Sequence, residues 1–204
     1  MSASRPAALT CIRMRRYHLV LCAALVQSAC GGVAVQPFYL PRQTVFDSTL
    51  LGTWAENDSA IEGARISRDG DHYDILYHDD KGRAAHFAGH LFRLAGQLAL
   101  DVSPAPLPDS VMRRMPDEYW SLLVPGHTLF WVNARGGRLA FAGLDPDTIR
   151  TYVRRHPQAV AHYFSDSTLV LTAPTPALRA FVIAYRRRAH VLADSTVWRR
   201  TGGH

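Results

Sequence analysis

Between residues 50 and 144 the apolar positions fall in short runs, many alternating with polar positions, and turn residues cut the runs apart. In residues 72–79, Tyr73, Ile75 and Tyr77 alternate with His72, Asp74, Leu76 and His78. That period of two gives a strand one buried face. Gly70-Asp71 before this run and Asp79-Asp80-Lys81-Gly82 after it predict hairpin turns on both sides. Similar runs are LLGTW (50–54), ARISRD (64–69), AAHFAGHLFRLAG (84–96), QLALDVS (97–103), YWSLLVP (119–125), HTLFWVNA (127–134) and RLAFAGL (138–144). About eight short strands joined by tight turns predict an antiparallel meander.

The period changes after Leu144. Asp145 stands at an N-cap, Pro146 at the first helical position, and Ile149, Tyr152 and Val153 form an apolar face that Pro157 ends. The pattern repeats at Thr175, read as a cap, and Pro176, with Leu178, Phe181, Val182 and Tyr185 at helical spacing. Helices are therefore expected near 145–156 and 175–188, with a short strand at 167–172 between them and an extended piece at 195–200. The fold class is α+β, mainly antiparallel β, with the strands in a barrel or a strongly curved sheet. One segment fits neither period: residues 103–118 carry four prolines, with Met112 and Met115 placed either as a lid over an apolar opening or on an ordinary surface excursion.

The N-terminus reads differently. Arg15-Arg16 precede an apolar run from Tyr17 to Val26, and Gln27-Ser28-Ala29-Cys30 follow. A basic start, a short apolar stretch and small residues are the anatomy of an export signal. The run falls short of the roughly 20 apolar residues of a spanning helix. Met14 is an alternative start, because the signal is complete from there. The organisation expected is a signal at 1–29, a glycine- and proline-bearing tether at 30–46 and one folded domain at 47–204.

Charge changes little once the signal is set aside. The whole chain has 23 Lys and Arg against 17 Asp and Glu, a net of +6, but the first 30 residues hold four of the arginines and no acid. The remainder has 19 against 17, a net of +2, without the clustered basic excess of a nucleic-acid binder. All three cysteines, Cys11, Cys22 and Cys30, also lie in those first 30 residues. The domain therefore has neither a disulfide framework nor a cysteine-based zinc site.

Ser28-Ala29-Cys30 resembles the lipobox of bacterial lipoprotein precursors, although Gln27 stands where an aliphatic residue is usual. The resemblance implies cleavage between Ala29 and Cys30 and lipidation of Cys30. It also implies an envelope location, the outer membrane in a Gram-negative cell because Gly31 rather than Asp follows the cysteine. Secretion through an ordinary signal is the alternative. Gly52-Thr53-Trp54, at the head of the meander, resembles the Gly-x-Trp start of lipocalins. That resemblance implies a barrel plugged by Trp54, with Arg199 or Arg200 lying over the indole, and an interior either filled by side chains or holding a small ligand.

Candidate chemistry is sparse. His86 and His90 lie four apart; on a strand they share a face about 13 Å apart, too far to hold one ion. Asp69, Asp71, Asp79 and Asp80 sit in turns that favour aspartate for its backbone bonding. No nucleophile elbow, phosphate loop, zinc-protease helix or dinucleotide fingerprint is present. Arg186-Arg187-Arg188 close the last helix, where positive charge suits the helix dipole or an anionic lipid surface. The expectation is a non-enzymatic, lipid-anchored envelope protein that binds a small apolar ligand or an envelope partner, with no cofactor or metal. The alternative is an envelope hydrolase or metal-dependent enzyme using His86 or His90. Oligomeric state is left open.

Overall fold

A computed structural model of the protein describes residues 32–56, 61–113, 124–166, 168–188, 192–193 and 195–202. Its strands are β1 (Val33–Ala34), β2 (Gly52–Ala55), β3 (Gly63–Asp69), β4 (His72–His78), β5 (Ala84–Leu94), β6 (Gln97–Pro104), β7 (Thr128–Arg135), β8 (Arg138–Gly143), β9 (His162–Ser165), β10 (Thr168–Leu171) and β11 (Thr196–Thr201). Its helices are α1 (Asp109–Met112), α2 (Pro146–Arg155) and α3 (Thr175–Arg186), with 3-10 turns at Pro41–Gln43 and Ser48–Leu50.

Strands β2 to β8 pair antiparallel in chain order, and β11 pairs with both β8 and β2. The result is a closed eight-stranded antiparallel barrel, lipocalin-like in architecture. The closing strand is the C-terminal piece at 195–200, which alternation alone marks only as extended. The run YWSLLVP, expected as a meander strand, lies outside the described residues up to Leu123, and Val124-Pro125 carry no regular structure. The short strand expected at 167–172 is β10, which joins β1 and β9 in a separate three-stranded sheet. Tight turns close one end of the barrel. At Gly136-Gly137 both φ angles are positive, at 58° and 71°, as a two-residue hairpin turn with the strands' own twist requires.

Two cores share the barrel wall. Neighbouring residues of a strand point to opposite faces. Leu91 and Leu100 join the interior cluster with Ile66, Ile75 and Leu139. Their neighbours Phe92 and Ala99 join an outer cluster with Leu129 and Trp131, packed under the helices through Ile149, Val153, Leu178 and Val182. The wall at β5–β7 is thus apolar on both sides, and its sequence reads as near-continuous apolar runs.

Helix α2 begins as its sequence predicts: Asp145 caps it, Oδ1 accepting from the Thr148 N–H at 2.7 Å. Helix α3 departs from expectation. Its cap position is Pro174, and Thr175 lies inside the first turn. The Thr175 hydroxyl instead donates to the Pro37 carbonyl at 2.6 Å, tying the helix to the N-terminal segment.

That segment is the main departure from the sequence reading. Residues 33–46 are packed onto the body, with Ala34 and Phe38 fully buried. Ala34 exchanges backbone bonds with His127 at 2.9 and 2.8 Å, and the Thr44 bridge pairs with Phe92. The folded body therefore begins by Val33 rather than near Asp47. A buried acid holds the strap in place. Asp101, 0% exposed on the outer face of β6, accepts from the Phe38 N–H at 2.6 Å through Oδ2. Its Oδ1 lies 2.7 Å from His127 Nδ1. Glycines and prolines in this stretch shape the local backbone; they do not decide whether it docks.

Candidate functional site

The barrel interior contains a cavity of about 590 Å³, within the range of roughly 300–1,000 Å³ usual for small-molecule pockets. Leu50, Leu139 and Val132 line it towards the end closed by the tight turns. Val102, Phe130 and Phe141 continue the wall towards the other end.

The closed end is built by the segment entering the barrel. The 3-10 turn Ser48–Leu50, capped by Asp47 through the Thr49 N–H at 2.9 Å, brings Leu50 under the interior. Trp54, 1% exposed, donates from Nε1 to the Leu50 carbonyl at 2.9 Å. Of the two arginines considered for its outer face, Arg200 takes the place, its guanidinium carbon 4.4 Å from the ring centroid. The same guanidinium donates to the carbonyls of Leu51 and, at 2.9 Å, Thr49. Arg199 is exposed, paired in register with Ala55 and Arg138. Gly52 leaves room for this arrangement: its φ is +127° and a Cβ there would run into the Arg200 guanidinium. Gly-x-Trp and a late arginine thus form a floor, with a cation over an indole face.

The mouth lies at the opposite end, where β3 starts, β6 ends, β7 starts and β8 ends. Glu62, Pro104, Thr128, Gly143 and Thr196 line the cavity there. Val33 and Gly126 touch at the same rim, and a Cβ on Gly126 would run into the Val33 side chain. The proline-rich connection from β6 to β7 leaves and returns at this end. Its Met112, 37% exposed in α1, is not among the residues lining the cavity. Met115 lies outside the described residues, as do Ala29 and Cys30.

Three polar features interrupt the apolar wall as a connected strip. The Tyr77 hydroxyl donates to Glu62 Oε1 at 2.8 Å. The Tyr77 ring lies parallel to that of Trp198, centroids 6.4 Å apart. Burial first, and the Glu62 carboxylate second, hold the Tyr77 phenol well above its ordinary value, so it stays a donor. Trp198, 6% exposed, has a buried Nε1 with no hydrogen-bond partner among the described residues.

The histidines stand outside the barrel. His86, with a 59% exposed side chain, has Nδ1 3.6 Å from Asp74 Oδ1. His90 is half-buried between Tyr39, stacked at 4.1 Å, and His72 at 5.5 Å. Burial, then the neighbouring His72, keep its imidazole below the usual value. Ligand atoms of Asp71, His72 and His90 lie within 4.8 Å of one another, on a hairpin turn and the adjoining strand. His90 thus meets His72 and Asp71, not His86. Two of the three arginines closing α3 stack on rings of the outer core side: Arg186 over Trp131 and Arg188 over Tyr152, each at 4.5 Å. Among the described residues, no helix is long and apolar enough to cross a membrane.

The sequence marks Trp54 and its arginine but not the cavity's polar strip. Glu62 carries no local signal, and Trp198 stands in a stretch with no clear period. Asp101 did leave one, a lone acid in an otherwise apolar strand. No protein-family model, curated protein or solved structure matches the chain.

Proposed function

We propose that this is a non-enzymatic cell-envelope protein, anchored by lipid on Cys30, whose barrel holds a small apolar ligand. The observation that carries the reading is the cavity: about 590 Å³, apolar over most of its wall, floored at one end and open at the other. Water gains few hydrogen bonds against such a wall, and each Å² of ligand surface removed from water contributes about 25 cal/mol. A ligand enters from the loop end, apolar part first, towards Leu50.

Binding is tested with the uncharged fluorophore N-phenyl-1-naphthylamine, whose emission rises in apolar surroundings. The wild-type protein takes it up with saturation. Val102→Trp, which puts an indole into the open interior, weakens that uptake at least tenfold while the far-ultraviolet circular dichroism is kept. Equal uptake by both proteins places the probe elsewhere and overturns the cavity as the site.

The anchor rests on the signal pattern ending at Cys30. Cells fed an alkynyl fatty acid label the wild-type chain, and Cys30→Ala loses the label completely. A wild-type chain that is exported but unlabelled leaves secretion as the reading.

A further inference from the structure

We infer that the cavity takes amphiphiles with an uncharged, hydroxyl-bearing head, such as glycerol monoesters, and rejects the corresponding free acids. This rests on the ligand-binding reading of the barrel and names the class of compound it takes.

The first observation is the charge of the wall. Among the described residues lining the cavity, the only charged group is Glu62; none is lysine, arginine or histidine. A fatty acid that enters tail first leaves its carboxylate near the mouth, where no cation among the described residues lines the wall. Arg200, under the floor, is committed to Trp54 and to two carbonyls of the entering turn. The carboxylate would instead face Glu62 in an apolar environment, where like charges repel more strongly than in water.

The second observation is the hydrogen-bonding capacity. The Tyr77 hydroxyl already donates to Glu62, and its ring stacks beside Trp198. The Trp198 indole N–H is buried behind the cavity surface, without an acceptor among the described residues. Trp131 Nε1 and Tyr185 Oη are likewise unpartnered, but their residues belong to the outer cluster, away from the cavity. Glu62 Oε2 can accept from a ligand hydroxyl, as on a glycerol ester. A neutral head bearing a hydroxyl satisfies that acceptor without setting a second negative charge beside it.

The test compares compounds sharing one twelve-carbon chain: monolaurin, laurate and dodecylamine, each displacing N-phenyl-1-naphthylamine at pH 7.5. Monolaurin is expected to bind at least tenfold more tightly than laurate. Glu62→Gln should narrow that gap to less than threefold, chiefly by improving laurate. Laurate binding as well as monolaurin overturns the inference, as does a gap that Glu62→Gln leaves intact. Dodecylamine binding more tightly than monolaurin overturns it in favour of cationic ligands. If the probe enters but the three compounds are not distinguished, only this selectivity fails. If neither the probe nor any of the three binds, the ligand-binding reading itself fails.

Discussion

Trp54→Ala lowers the free energy of unfolding by about 3–5 kcal/mol, a large share of the roughly 5–15 kcal/mol available to a domain. The ring is 1% exposed, so its deletion leaves a void in the floor of the barrel. The Leu50 carbonyl loses the indole donor at 2.9 Å, and the Arg200 guanidinium loses the face it covers. Both losses fall beside the β2–β11 seam, where the two ends of the meander meet and the barrel closes. Trp54→Phe keeps most of the packing and separates the terms, with a loss of about 1–2 kcal/mol from the missing N–H and smaller ring. Denaturant titration with matched slopes measures both. A loss below about 1 kcal/mol for the alanine variant would mean that the floor collapses into the space and carries no special load.

Asp101→Ala is expected to cost a similar amount, about 3–5 kcal/mol, for a different reason. The carboxylate is 0% exposed and satisfies two donors at once, the Phe38 N–H at 2.6 Å and His127 Nδ1 at 2.7 Å. Removing it strands both beneath the strap. Asp101→Asn retains one accepting oxygen but turns an N–H₂ group towards a second donor, at a cost of about 1–3 kcal/mol. Hydrogen exchange locates the damage. The amides of Ala34 and Phe38 should lose protection in the alanine variant well before those of β3 and β4. Uniform loss of protection would show that the acid supports the barrel as a whole rather than the strap.

These two sites illustrate what the sequence makes readable. Strand β4 shows its inward-facing Tyr73, Ile75 and Tyr77 by alternation, because its other face meets solvent or polar neighbours. Gly52 and Trp54 stand together in the chain, so the floor is recognisable before the arginine is chosen. Choosing Arg200 over Arg199 requires the register of β11 against β2, which depends on closure. The strap is hidden in the sequence for a related reason. Ala34 and Phe38 stand in two three-residue apolar runs, 33–35 and 38–40, separated by Gln36-Pro37 and too short to show a period or that a second core waits outside the barrel. The cavity itself is a property of closure: periodicity says which residues face inward, but not how much volume they leave unfilled. The polar strip brings Glu62, Tyr77 and Trp198 together from three separate stretches of chain.

The contact of Val33 with Gly126 at the rim has a consequence for traffic. Cys30 is three residues upstream of Val33, hence within about 11 Å of the opening at full extension. If Cys30 is acylated as proposed, the anchor holds the barrel's entrance against the bilayer's headgroup layer. A ligand of the proposed kind would then pass between leaflet and protein without dissolving in bulk water, and loading would follow its mole fraction in the lipid rather than its aqueous solubility.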